Sequence, residues 1–220
     1  EAARYFVRMK KVNKEGPALL DDLPAPVRLD RNKLDVALRN DAFAVDLRST
    51  EDYARAHVPG TINVAATADN FSTYVGWFVD YSESIYLIVP ALADVPDMMN
   101  ALHAIGIDDV AGYSGPEVVT EGSSSLPVMT AEELAERQPS IGAVVVDVRG
   151  RNEYLEQHIV GARHIPLGYL PQYVDQLSLD QTIIFQCASG YRSTIAASLL
   201  RARGFDNVIN VNADTDTWSR

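Results

Sequence analysis

AFAVDLRSTEDYARAHVPGTINVA, residues 42–65, and VVVDVRGRNEYLEQHIVGARHIPL, residues 144–167, are two versions of one stretch. Asp46 falls on Asp147, Arg48 on Arg149, Tyr53 on Tyr154, His57 on His158 and Gly60 on Gly161, with the spacing kept throughout. The second version opens on the apolar, β-branched run of a strand buried on both faces, and each then passes into an acidic and aromatic segment of helical character. Further on, IYLIVPALADVPDMMNALHAIGIDDV from Ile85 matches IIFQCASGYRSTIAASLLRARGFDNV from Ile183, with Gly106 on Gly204 and Val110 on Val208. The offset between the halves shifts slightly between the two blocks, which is a difference in loop length. Solenoid units run about 20 to 50 residues and do not fold alone, so a repeat as widely spaced as Asp46 and Asp147 is a duplicated domain.

Each half follows one plan: a capped helix, an apolar strand, an acidic-aromatic helix, a short strand, a strand, a loop, a helix and a last strand. That alternation predicts an α/β fold in each half, an open and mainly parallel sheet with helices on both faces. Asp30 is placed to cap the first helix of the first half, and Thr130 with Glu133 forms a capping box at the start of TAEELAER. STIAASLLRAR reads as a helix with Ile195, Leu199 and Ala202 on one face, stopped by Gly204. The polar, Gly/Ser-rich stretch 114–125 is expected to link a domain over 28–113 to one over 126–220, with 1–27 as an N-terminal extension.

The chain has 220 residues, 47% hydrophobic and 22% charged, which suits two compact globular domains. Its net charge of −11 repels phosphate, which argues against a nucleic-acid or anionic-membrane partner. An anionic substrate must therefore be held by a local site. Neither an apolar run long enough to span a bilayer nor the order of residues of a signal peptide is found, and a cytoplasmic location is expected. The chain opens on Glu1 rather than methionine, which fits either a trimmed chain or a piece of a longer protein. Its single cysteine, Cys187, rules out an internal disulfide and is either an inert core residue or a reagent.

Placement favours the reagent. Cys187 stands where a buried strand ends, about five residues before a helix begins, and open α/β sheets hold their ligands outside the carboxyl ends of their strands. In the loop CASGYRS, Gly190 permits a positive φ, which turns successive backbone N–H groups inward at a helix N-terminus. A thiolate in such a nest is stabilised, so Cys187 is expected to be substantially ionised at neutral pH. Arg192 adds a cation with a planar fork of donors, and Ser193 is expected to cap the helix and offer a hydroxyl.

CASGYRS resembles the active-site loop of rhodanese domains, Cys-x-x-Gly-x-Arg-Ser, and DVRGRNEYLEQHIVGARHIP resembles their first strand-loop-helix signature. The resemblance covers nearly all of residues 126–212 and, more weakly, 28–112, which implies two rhodanese-like domains in tandem. It implies a sulfurtransferase that takes a sulfane sulfur from thiosulfate or a low-molecular-weight persulfide onto Cys187, and passes it to cyanide, a thiol or sulfite without a cofactor. Ala188, Ser189, Gly190, Tyr191, Arg192 and Ser193 would bind the anionic donor, with Tyr191 at the rim. Asp147 and Arg149 are expected to support the site, Glu153 to be structural, and His158 to hydrogen-bond its surroundings rather than move protons.

Phosphatases of the same fold also use a cysteine-arginine loop, but with five intervening residues; here Ala188 to Tyr191 make four. The first half aligns Val89 with Cys187, and its PALADV offers neither the Gly nor the Arg of the nest. It resembles the inactive first half common in tandem rhodaneses, and an interaction module is the natural reading for it. At the end of the second half the family has a Gly-Gly pair and later a Trp; here Ala213 and Asp214 stand near the glycine positions, with Trp218 retained. EAARYFVRMKKVNKEGPALLDDLPAP, before the first repeat, resembles the C-terminal tail of metallo-β-lactamase-fold hydrolases of the persulfide dioxygenase type, which implies a fused or associated partner of that fold. The segment contains no histidine, so no metal site is expected within it.

Overall fold

The computed structural model of the chain describes residues 10, 13–16, 25–67, 71–120 and 122–212. Most of the expected N-terminal extension lies outside these residues, as do Ala213, Asp214 and Trp218.

The strands fall into two sheets of five. The first holds β1 (Val27–Arg28), β2 (Phe43–Asp46), β3 (Ile62–Asn63), β4 (Ile85–Ile88) and β5 (Val110–Ser114), in the order β1-β5-β4-β2-β3. The second holds β6 (Val128–Met129), β7 (Val144–Asp147), β8 (Arg163–His164), β9 (Ile183–Gln186) and β10 (Val208–Val211), in the order β6-β10-β9-β7-β8. Taken strand for strand the two orders are the same, as the repeat requires. The ladders β1–β5, β2–β4 and β4–β5, and β6–β10, β9–β10, β7–β9 and β7–β8, are all parallel.

Parallel neighbours need crossover connections, and helices supply them. They are α1 (Arg31–Arg39), α2 (Thr50–Arg55), α3 (Phe71–Phe78), α4 (Val95–His103), α5 (Ala131–Ile141), α6 (Arg151–Glu156), α7 (Leu170–Tyr173) and α8 (Tyr191–Arg201). The caps fall as expected: Asp30 accepts from the Lys33 N–H at 2.9 Å, and Thr130 and Glu133 form the reciprocal box at 2.9 and 3.2 Å. No helix of the described residues is long and apolar enough to cross a membrane.

Contacts divide the chain into two compact units. One holds the residues up to Ser49 together with Val64–Ser123, the other Thr50–Asn63 together with the residues from Ser124 on. The division at Ser123 falls inside the stretch read as a linker, while α2 and β3 go by their contacts with the second unit. Parts of that stretch are structured: Ser114 ends β5, Pro116–Val118 make a 3-10 turn, and Ser124 pairs with His57 in an antiparallel bridge.

Two features differ from expectation. The edge strands β1 and β6, of two residues each, precede the capped helices, and VR and VM are too short to carry a periodic signal. The second difference is α8, read as apolar on one face: Ser193 through Leu200 are all buried, and Ala202 lies just past the helix end. Ser193, Ala196, Ala197 and Ser198 make this possible, since small side chains let neighbours approach on every side. The Ser198 hydroxyl donates within the helix to the Ile195 carbonyl at 2.9 Å, so its burial leaves no donor unmet. Gly204, with φ of +85°, ends the element as expected.

Candidate active site

Cys187 follows the last residue of β9 and is 1% exposed, at the carboxyl edge of the second sheet and four residues before α8 begins. Gly190 is the N-cap of α8 with φ +82° and ψ −18°, the left-handed conformation anticipated for it. A Cβ there would also lie 2.8 Å from Asn212 Oδ1. Its carbonyl is held three times, by the Thr194 N–H at 3.0 Å, the Thr194 hydroxyl at 2.7 Å and the Ser193 hydroxyl at 3.1 Å. Asn210 of β10 donates in turn to the Thr194 hydroxyl at 2.9 Å. The loop is thus fastened to both the helix and the neighbouring strand. Thr194 and Asn210 escaped notice in the sequence, although a lone Asn within the apolar VINV was the available signal.

Ser193 does not cap the helix, because the loop geometry gives that position to Gly190. It sits in the first turn, where its backbone N–H donates to Cys187 Sγ at 3.4 Å and its hydroxyl lies 3.3 Å from the same sulfur. First-turn N–H groups have no carbonyl partner within their own helix, so the sulfur faces the donor-rich, partially positive end of α8. Ala188 and Tyr191 are half-buried and Ser189 is exposed, which makes these three the border of the loop.

The guanidinium of Arg192 is engaged by Glu153, a residue read from the sequence as structural. Nη1 donates to Oε2 and Nη2 to Oε1, both at 2.7 Å, a two-pronged ion pair across 39 positions of the chain. Glu153 Oε2 also accepts from the Gly150 N–H at 3.0 Å. The Arg192 hydrogen bonds hold the Glu153 carboxyl below the usual carboxylate range, against a smaller opposing push from burial and with help from the Gly150 amide.

Beneath the loop lies a buried polar brace. Asp147 is 0% and Arg149 6% exposed; Arg149 Nη2 donates to Asp147 Oδ2 at 2.8 Å and its backbone N–H to Oδ1 at 2.9 Å. Gln186, the residue before Cys187, donates to Asp147 Oδ2 at 2.6 Å, and its own Oε1 is buried without a partner. The first sheet repeats the pair as Arg48 and Asp46, joined at 2.5 Å, but there the residue opposite Asp46 is Ile88. Gln186 occupies the corresponding place opposite Asp147. The Asp–Arg pair is therefore a brace common to both sheets, and Gln186 is the part peculiar to the one with a cysteine.

His158 makes the backbone contact expected of it. Its Nδ1 lies 2.8 Å from the Tyr154 carbonyl and its ring stacks on Tyr154 at 4.0 Å, with His164 on the same tyrosine at 4.2 Å. His57 and Tyr53 make the same stack at 4.0 Å in the other copy of the motif, whose sheet has Val89 in the place of the cysteine. Val89, in the place of Cys187, is fully buried, and none of the residues from Val89 to Val95 has a positive φ. Among the described residues there is no group of three His, Cys, Asp or Glu side chains able to hold a metal.

The family model for the rhodanese-like domain matches residues 130–220. The thiosulfate sulfurtransferase GlpE of Stutzerimonas stutzeri is 33% identical over 39% of this chain and 79% of its own length. YrkF of Bacillus subtilis is 35% identical over 48% of this chain, and the match spans 57% of that relative. Among solved structures, a metallo-beta-lactamase from Staphylococcus aureus is 31% identical over 53% of this chain and 31% of that one, with a TM-score of 0.42.

Proposed function

The chain belongs to the rhodanese-like domain family, and on that premise we propose that its second half is a sulfurtransferase carrying sulfur as a persulfide on Cys187. The observation that carries the reading is the seat of Cys187 Sγ: buried, at the N-terminus of α8, and receiving the Ser193 N–H at 3.4 Å.

The Cys187 thiolate attacks the outer sulfur of thiosulfate; a new S–S bond forms, the S–S bond of thiosulfate breaks, and sulfite leaves with the electron pair. With a low-molecular-weight persulfide as donor, a thiolate leaves instead. In the second half-reaction an acceptor thiolate, sulfite or cyanide attacks the outer sulfur of the Cys187 persulfide, and the Cys187 thiolate is the leaving group. Negative charge rests on sulfur before and after each step, so the Ser193 N–H and the N-terminal end of α8, fixed beside it, stabilise the whole cycle. The borders of the loop, Ala188, Ser189 and Tyr191, meet the rest of the donor, while Asp147 and Arg149 brace the strand beneath it.

The first half, with the same strand order and Val89 in the place of the cysteine, is on this reading a second rhodanese-like domain without activity. The resemblance of residues 1–26 to the tail of persulfide dioxygenase-type hydrolases supports a parent protein in which Cys187 exchanges sulfur with a metallo-β-lactamase-fold partner.

Intact mass after incubation with thiosulfate and, separately, with glutathione persulfide tests the proposal. The expected result is a gain of one sulfur, removed by cyanide or a thiol and absent from Cys187→Ser. A wild-type protein that gains no sulfur from either donor, while Cys187 still reacts with an alkylating agent, would favour a phosphatase of the same fold or an interaction module.

A further inference from the structure

We propose that Glu153 is a positioning residue that selects among sulfur donors: by neutralising Arg192 it disfavours the dianion thiosulfate relative to donors that bring a single negative charge to the reacting sulfur. This rests on the sulfurtransferase reading above. Both terminal nitrogens of Arg192 are committed to the Glu153 carboxylate at 2.7 Å, the geometry in which a guanidinium binds an anion best. A donor anion seeking those nitrogens must displace a carboxylate already fixed by the Gly150 N–H at 3.0 Å. With the pair intact, Arg192 and Glu153 sum to zero charge beside the loop, while the end of α8 still presents the Ser193 N–H to the sulfur.

Thiosulfate concentrates two negative charges in an ion of a few atoms. A persulfide donor, R–S–S⁻, carries one at its reactive end, and any others lie on a substituent that can point to solvent. One carboxylate near the loop therefore weighs more heavily against thiosulfate, and the field of a chain with net charge −11 acts in the same direction. The pair has a second mark of function: its distribution between the repeats. In the first half the residues equivalent to Glu153 and Arg192 are Asp52 and Asp94, and Asp52 accepts instead from Arg55 at 2.8 Å within its own helix. A pair needed for the fold alone would serve both copies, as the Asp46–Arg48 and Asp147–Arg149 braces do. This one accompanies the cysteine.

The test compares kcat/KM for thiosulfate and for glutathione persulfide, with cyanide as acceptor, in the wild type, Glu153→Gln, Arg192→Met and the double variant. Gln keeps the size of Glu153 and an oxygen for the Gly150 N–H while removing the charge. Thiosulfate kcat/KM is expected to rise about tenfold in Glu153→Gln, mainly through KM, as fits loss of one charge several ångströms away in a partly wet site. The persulfide value stays within about twofold, and the gain disappears in the Arg192→Met background because Glu153 acts through Arg192. Equal losses with both donors, or a gain that survives Arg192→Met, would overturn the proposal. If Glu153→Gln does not fold, Glu153→Asp, too short to hold both nitrogens, must shift the donor ratio in the same direction by less; an unshifted ratio counts against it equally. A wild type that takes sulfur from neither donor is a different failure, that of the sulfurtransferase reading itself.

Discussion

Gly190 meets three demands: a positive φ, room beside Asn212, and a carbonyl turned to receive Thr194 and Ser193. Gly190→Ala places an L side chain in the left-handed region and its Cβ 2.8 Å from Asn212 Oδ1, so the loop must shift. The expected cost is about 1–2 kcal/mol of stability from the backbone alone. Urea unfolding measures that cost, and a sulfur-transfer rate at least tenfold below wild type shows that the displaced loop no longer seats Cys187. The same residues mark what could be read in advance. Cys187, Gly190 and Arg192 lie in one short motif whose spacing has a mechanical meaning, so they stand out from sequence alone. The grip of Glu153 on Arg192 does not, because which of many carboxylates a long side chain meets is decided by a fold that brings together residues 39 apart.

At the scale of the strand, Asp147 has two tasks, and its counterpart Asp46 shares only the first. Both neutralise a buried arginine, and removing either carboxylate leaves that charge unpaired, which costs about 3–5 kcal/mol. Asp147 also accepts from Gln186, the neighbour of Cys187. Asp147→Ala and Asp46→Ala are therefore expected to lower the denaturation midpoint to similar degrees, whereas only Asp147→Ala reduces sulfur transfer by the protein that remains folded. Equal activities in the two variants would show the Gln186 contact to be idle. The long apolar strands, the caps and the parallel arrangement were open to inspection in the sequence, since each rests on local pattern and chemistry. The two-residue strands β1 and β6 were not, as their pairing depends on β5 and β10 offering an edge. The all-round burial of α8 was hidden as well, because serine and alanine look the same on a wet face as in a close-packed one.

For the molecule as a whole, the repeated strand order supplies its own control. Val89→Cys puts a thiol at the position that repeats Cys187, and at near-equal volume the substitution should fold. No glycine or arginine follows it to build the loop, so incubation with thiosulfate is expected to add one sulfur to the protein, not two. A second, cyanide-labile sulfur would mean that the strand end itself, rather than the loop, provides the reactivity. The burial of α8 bears on time as well as on structure. A helix with no wet face exchanges its amide hydrogens only when the elements around it come apart, and such elements belong to the slowest-opening part of a protein. Ser193 to Leu200 are all buried, and the loop is fastened to that helix at Gly190. The surroundings of Cys187 therefore share the slow opening of that helix, and on the proposed reading a sulfur donor would meet a mould already set.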